Sequence, residues 1–164
     1  MIVVDGHNLS ITDVVLVARR GDEVVVPEEA MERVRRTRRV VEELGDEQVP
    51  VYGVTTGFGE MCYKLVPKEF ESLLQENLIK SHAAGYGQPL PRECVRAMML
   101  ARLNCLVRGH SGVRPEVVEL LKEMLNRRVH PVVPEYGSLG ASGDLAPLCH
   151  MAAVMIGEWK AEHK

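Results

Sequence analysis

The sequence predicts a mainly α protein, a bundle of long helices with a small strand pair at its N-terminus. Three observations carry that expectation. Long stretches from residue 27 onward place apolar side chains at three- and four-residue steps. Most of them open near a proline and close near a glycine, the punctuation of helices. The clear β-branched runs, "MIVV" and "DEVVVP", are short and lie close to the start.

The elements follow in order. "MIVV" and "DEVVVP" form a minor strand pair flanking a short helix near "ITDVVLVARR". A helix begins at Pro27, carries Met31, Val34, Val41 and Leu44 on its inner face, and is expected to stop at Gly45. "VPVYGVTTGFGEM" breaks the helical period with three glycines and two adjacent threonines, so it is read as a loop whose backbone comes close to another part of the molecule. Helix resumes between Pro67 and Gly85, then between Pro91 and Gly109, where the segment is apolar around most of its circumference. In "RPEVVELLKEMLNRR", Val117, Leu120, Leu121, Met124 and Leu125 make one stripe, with Lys122 and Glu123 outside it. The last helix starts near Asp144 and runs through "LAPLCHMAAVMIGEW". Its apolar face has no later element to pack on, which is expected of the front part of something larger or of a subunit that needs a partner. No repeat and no low-complexity linker divides the chain, so residues 1–164 read as one unit, itself incomplete.

Composition bounds the function. With 164 residues, 46% apolar and 26% charged, the chain can bury one globular core. A formal net charge of -3 leaves no basic excess for a phosphate backbone, and Arg35, Arg36, Arg38 and Arg39, set among the apolar positions of a helix, read as its solvated face. Nucleic acid is therefore not an expected partner. Cys62, Cys94, Cys105 and Cys149 never form a C-x-x-C pair, which leaves zinc and a disulfide framework unsupported; buried, reduced thiols are expected. The N-terminus has no basic leader and no apolar run approaches the ~18 residues of a membrane span. A soluble, cytoplasmic protein without a membrane partner is expected.

One stretch looks too plain for chemistry: "GSLGASGDLAPL", Gly137 to Leu148. A phosphate loop would need Gly-Lys-Ser/Thr at its end, whereas Gly143 is followed by the anionic Asp144. A nucleophile elbow needs the whole G-x-S-x-G pattern, which the residues around Ser142 do not meet. Ala141-Ser142-Gly143 admits a different reading, in which the backbone modifies itself. A glycine amide has no side chain beside it, and in a tight turn the nitrogen of Gly143 can attack the carbonyl carbon of Ala141. Loss of that oxygen as water, and of the Ser142 hydroxyl as a second water, leaves a five-membered ring with an exocyclic methylene. On the tripeptide alone an ordinary capping turn is the commoner outcome, with Asp144 capping the next helix and Pro147 in its first turn.

The wider pattern adds to this. "VYGVTTGFGEM", "LLQENLIKSHAAGYGQPL" and "RGHSGVRPEVVELLKEMLNRRVHPVVPEYGSLGASGDLAPL", in this order, resemble the aromatic amino acid ammonia-lyase family, which includes the histidine and phenylalanine ammonia-lyases. The resemblance runs from Leu9 onward and implies the N-terminal part of that fold. In the family the Ala-Ser-Gly triad cyclises to 4-methylideneimidazol-5-one (MIO), which places the prosthetic group on Ala141, Ser142 and Gly143, without a metal. Such a ring is an electron sink that helps an amine leave. The resemblance makes Tyr52 the base that takes the β-proton and sets His82 and Gly59 against the substrate. A phenol titrates near ~10, so a tyrosine base needs a site that favours its anion.

"SH" at Ser81-His82 is similar to the histidine-type members, and an imidazole suits a polar ring better than a phenyl. His7, His110, His130, His150 and His163 are read as ordinary histidines. Two features lean elsewhere: Thr55 stands where histidine-type members usually carry Asn, and "GEWKA" is closer to the related aminomutases. The expected activity is deamination of L-histidine to urocanate, with a phenylalanine or tyrosine lyase or an aminomutase as alternatives. Family members continue for several hundred residues past the MIO loop and build their sites from more than one subunit of a tetramer. The resemblance thus implies an oligomer or a companion chain that supplies the remainder, or a non-catalytic remnant or assembly subunit.

Overall fold

The computed structural model describes residues 1–141 and 143–163. Strand β1 (Ile2–Val3) lies parallel to β2 (Val24–Val25), with Ile2 opposite Val24. Parallel neighbours need a crossover, and it is supplied by α1 (Ile11–Val15) running into a wide π-type turn over Leu16–Arg20. Ser10 starts α1 with a reciprocal capping box to Asp13, and Gly21, at φ +74°, ends the turn. The strand pair and its short helix thus match the sequence reading.

Helix α2 (Glu28–Asp46) starts after Pro27 and buries Met31 and Val34, while Val41 and Leu44 are half-buried. It does not stop at Gly45. Gly45 is buried inside the last turn, and the chain reverses at Gln48, a non-glycine residue at φ +52°. The outer face is solvated as expected: Arg35 pairs with Glu28 and Glu32, Arg38 with Glu42, and Arg39 with Glu32.

After the loop come α3 (Lys68–His82), α4 (Arg92–Leu106) and α5 (Pro115–Asn126). Helix α4 is the centre of the core: Met99, Leu100 and Leu103 are fully buried against the α1 turn and α5. Each such side chain contributes roughly 1.5–3 kcal/mol of burial. Its circumference is less covered than its composition implied, since Cys94, Ala101 and Cys105 face outward. The expected burial of the cysteines fails for the same reason: Cys94 and Cys105 are exposed, Cys62 and Cys149 half-buried, and all four are free. In α5 the buried stripe is Val118, Leu121, Met124 and Leu125, with Leu120 turned 41% exposed, because the neighbours of α5, α2 and α4 among them, leave that position uncovered.

Helix α6 (Leu145–Met155) packs on α3. Two antiparallel pairs lie beyond the sequence reading. Strand β3 (Tyr86–Pro89) pairs with β5 (Pro134–Tyr136), and β4 (Val129–Pro131) pairs with β6 (Ala161–His163). The first ties the end of α3 to the entrance of the glycine loop. The second folds the chain after α6 back across the molecule, so α6 ends at Met155 rather than running to Trp159. No helix among the described residues is long and apolar enough to cross a membrane.

Candidate functional site

The glycine loop links β5 to α6. Three of its residues have backbone angles that favour glycine: Gly137 at φ +156°, Gly140 at +66° and Gly143 at +122°. A Cβ on Gly137 would press on Ala146 Cβ at 3.0 Å and Gly85 Cα at 3.1 Å, so that glycine permits a close crossing. Gly143 differs. A Cβ there would meet nothing within 4 Å, and its glycine character serves the backbone angle alone. Ser142 lies outside the described residues.

The loop is closed from inside. Ser138 Oγ donates to Asp144 Oδ1 at 2.6 Å and accepts the Gly140 N–H at 3.1 Å. One hydroxyl therefore bridges the two ends of the loop and pins its middle. This corrects the expected cap: Asp144 occupies the position before α6, but its carboxylate makes no capping bond to that helix. The charge still sits at the positive end of the α6 dipole, and the first amides of α6 have no carbonyl of their own helix to bond.

Opposite the loop stands the end of α3. His82 is its last residue and half-buried. Its Nδ1 lies 3.0 Å from the Leu78 carbonyl, which also accepts from Ser81 Oγ at 3.0 Å. Nδ1 is also 3.0 Å from Ser81 Oγ, and in the tautomer with the proton on Nδ1 it donates to the Leu78 carbonyl and leaves Nε2 with its lone pair. His82, Ser81, Ser138, Ala141, Gly143 and Ala146 are among the residues that line one cavity of about 410 Å³, the size of a small-molecule site. The structure thus brings together His82, Ala141 and Gly143, which are far apart in sequence.

The turn after His82 is held by His150 of α6. Its Nε2 accepts the Gly85 N–H at 2.9 Å, its side chain is buried, and its ring leans on Trp159 with centroids 4.7 Å apart. Because Nε2 accepts, the proton is on Nδ1; burial lowers the pKa and keeps the ring neutral. His150 is therefore a positioning residue for the α3 end. Its sequence signal was only a histidine on an apolar helix. Ser138, too, was not singled out, although a serine six residues before an aspartate across a glycine loop has the reach to bridge it.

Tyr52 is not brought to this cavity. It lies in the loop between α2 and α3, 64% exposed, edge-on to Phe58 with ring centroids 5.7 Å apart. Its phenol oxygen accepts the Gly59 N–H at 3.2 Å, so the two residues singled out in this loop meet each other. Gly59, at φ +57°, lies outside the cavity lining as well. The loop is anchored by Thr55, which is fully buried, accepts the Val51 N–H at 2.9 Å and donates to the Val49 carbonyl. Gln75 of α3 ties it down by donating to the Gly53 carbonyl at 2.9 Å. Among the described residues no cluster of His, Cys, Asp or Glu could hold a metal ion.

Comparison with known proteins gives a consistent result. The family model for aromatic amino acid lyases matches residues 9–164. A histidine ammonia-lyase from Caldanaerobacter subterraneus is 55% identical over 160 residues, and one from Streptococcus pyogenes is 50% identical over 164. These matches cover 98% and 100% of this chain, but the chain spans only 32% of each relative. The crystal structure of a tyrosine aminomutase from Streptomyces globisporus superposes with a TM-score of 0.94 at 43% identity, over 99% of this chain and 30% of that one.

Proposed function

Since the chain belongs to the aromatic amino acid lyase family, we propose that it is the N-terminal third of an ammonia-lyase that deaminates L-histidine to urocanate. The observation that carries this reading is the single cavity shared by His82 and the loop of Ala141 and Gly143. The amino acid is the substrate, and the remaining walls of its site come from chain outside these residues and from other subunits of an oligomer.

The loop fits formation of an MIO ring from Ala141, Ser142 and Gly143. Gly143 holds the positive φ a tight turn needs, with open space beside it, and the Ser138 bridge ties the two ends of the loop together. When present, such a ring supplies the electron sink that lets ammonia depart. The chain's own residues do the rest. The positive end of α6 faces the loop and stabilises negative charge that develops there. In the tautomer with its proton on Nδ1, His82 offers a lone pair at Nε2 to an N–H of the substrate, which an imidazole has and a phenyl ring lacks.

Tyr52 is the β-proton base in this reading. Its exposure and its place outside the cavity support service to a site on a neighbouring copy, with the Gly59 amide fixing the phenol oxygen. The likeness to an aminomutase, together with Thr55 and "GEWKA", supports a second reading in which ammonia returns to the β-carbon.

The test is product formation by the assembled enzyme from L-histidine, L-phenylalanine and L-tyrosine. Urocanate from histidine is expected to dominate, and His82→Leu to lower kcat/KM for histidine by about 100-fold or more. An unchanged histidine rate in that variant would remove His82 from substrate selection, and a β-amino acid product would assign the aminomutase.

A further inference from the structure

The far side of α4 carries a second cavity, with no part in the reaction described above. It measures about 130 Å³, and its lining includes Arg19, Arg20, Arg92, Arg96, Arg128 and His130. These residues come from three separate parts of the chain, and five guanidinium groups converge on a space that holds a few waters. Two carboxylates stand against them: Glu93 bonds Arg19 at 2.8 Å and Glu162 reaches Arg92 at 3.4 Å.

Three donor atoms of its lining residues are buried and unpaired. Arg96 is only 3% exposed. Its Nε donates to the Val17 carbonyl at 2.8 Å and its Nη1 to the Leu125 carbonyl at 3.0 Å and to His130 Nε2 at 3.1 Å. Nη2 has no partner. Arginine only donates, so His130 Nε2 accepts and its proton sits on Nδ1, which is buried without a partner as well. Arg92 Nε is the third such atom. All three are donors, and leaving a buried donor unpaired costs roughly 1–3 kcal/mol. A water could take one or two of these bonds but would leave the clustered charge uncompensated. An oxyanion answers both needs, with several acceptor lone pairs and a negative charge.

We propose that this cavity binds a tetrahedral oxyanion, a phosphate or the phosphoryl group of a small phosphomonoester, with Arg96, Arg92 and His130 as its floor and Arg20 and Arg128 as its rim. The floor is prebuilt, because Arg96 is already fixed by two backbone carbonyls. The rim is open: Arg20 and Arg128 are exposed, and the Arg128 guanidinium lies over Gly21, where a Cβ would sit 3.4 Å from Nη2. The size admits the tetrahedral group and leaves any attached organic part outside. This site does not rest on the lyase reading, since none of its residues lines the cavity of His82 and the glycine loop.

The test is calorimetric titration of the full chain with inorganic phosphate, at constant ionic strength set with chloride. One site per chain is expected, weakened about tenfold in Arg128→Gln and again in Arg20→Gln; both are exposed positions whose replacement leaves the core intact. Equal binding of phosphoserine would assign the site to phosphomonoesters, and its failure alongside phosphate binding would assign it to the free ion. No phosphate-specific heat, or heat unchanged in both variants, would overturn the proposal. Circular dichroism of each variant separates a lost site from a lost fold.

Discussion

Ser138 Oγ and Asp144 Oδ1 meet at 2.6 Å across the mouth of the glycine loop. The same hydroxyl holds the Gly140 amide, so three points of an otherwise side-chain-poor loop depend on one serine. Ser138→Ala is expected to leave the helices intact and slow ring formation on the loop by about tenfold, the effect of roughly 1–1.5 kcal/mol of lost closure. The fraction of dehydrated protein against time after synthesis, read by mass spectrometry, checks this.

Gly143→Ala separates backbone angle from packing. Nothing would touch the new methyl group, yet φ +122° is a conformation that L-residues rarely adopt. The loop is expected to relax toward ordinary angles at a cost of about 1–3 kcal/mol, with little change in Tm and a marked loss of ring formation. Equal ring yield in this variant would show that the angle is dispensable.

The α3 end depends on Gly85 and His150. A Cβ on Gly85 would fall 2.7 Å from His150 Nε2 and 3.1 Å from Pro134 Cβ. Gly85→Ala should therefore push the turn off α6, lower Tm by about 3–6 °C and raise KM for the substrate, because His82 at the end of α3 is displaced. His150→Leu loses the same tether without the clash and is expected to give the milder form of the same pattern.

Acid sensitivity follows from His130. Burial first, then the Arg96 and Arg92 charges, hold its pKa at about 4, against an ordinary value of 6.5; Arg128 adds to the lowering and Glu162 opposes it. Between those values the unfolded chain binds a proton that the folded chain does not. Stability from this group is complete above pH 6.5 and is lost as pH falls toward 4, by roughly 3 kcal/mol at the limit. His150, lowered by burial, adds in the same direction. Urea midpoints measured from pH 7.5 to 4 check the slope, and His130→Gln should flatten it.

The helices were legible because their signals are local. Pro27, Pro67 and Pro91 stand just before the first turns of α2, α3 and α4, and the apolar period needs no knowledge of the partner. The strands β3 to β6 were not, since each is short, three of them contain proline, and each pairs with a segment distant in sequence. Leu120 and the exposed Cys94 and Cys105 were misplaced because composition tells that a helix is apolar and not how many neighbours it has. At the site, the glycine loop and His82 could be named from their motifs, whereas the bonds that shape it, Ser138 to Asp144 and His150 to Gly85, join residues whose types are common anywhere. Arg92 and Arg96 lie on a largely apolar helix, and their meaning depended on Arg19, Arg20 and Arg128 arriving from elsewhere.

The central claim is that the backbone of Ala141-Ser142-Gly143 becomes the electrophile of an ammonia-lyase. Its most direct test is the mass of the peptide spanning residues 137–148, taken from the protein purified in its native assembly. The account predicts a mass lower than that of the encoded peptide by two waters, confined to these three residues. The full encoded mass in the assembled protein would contradict it.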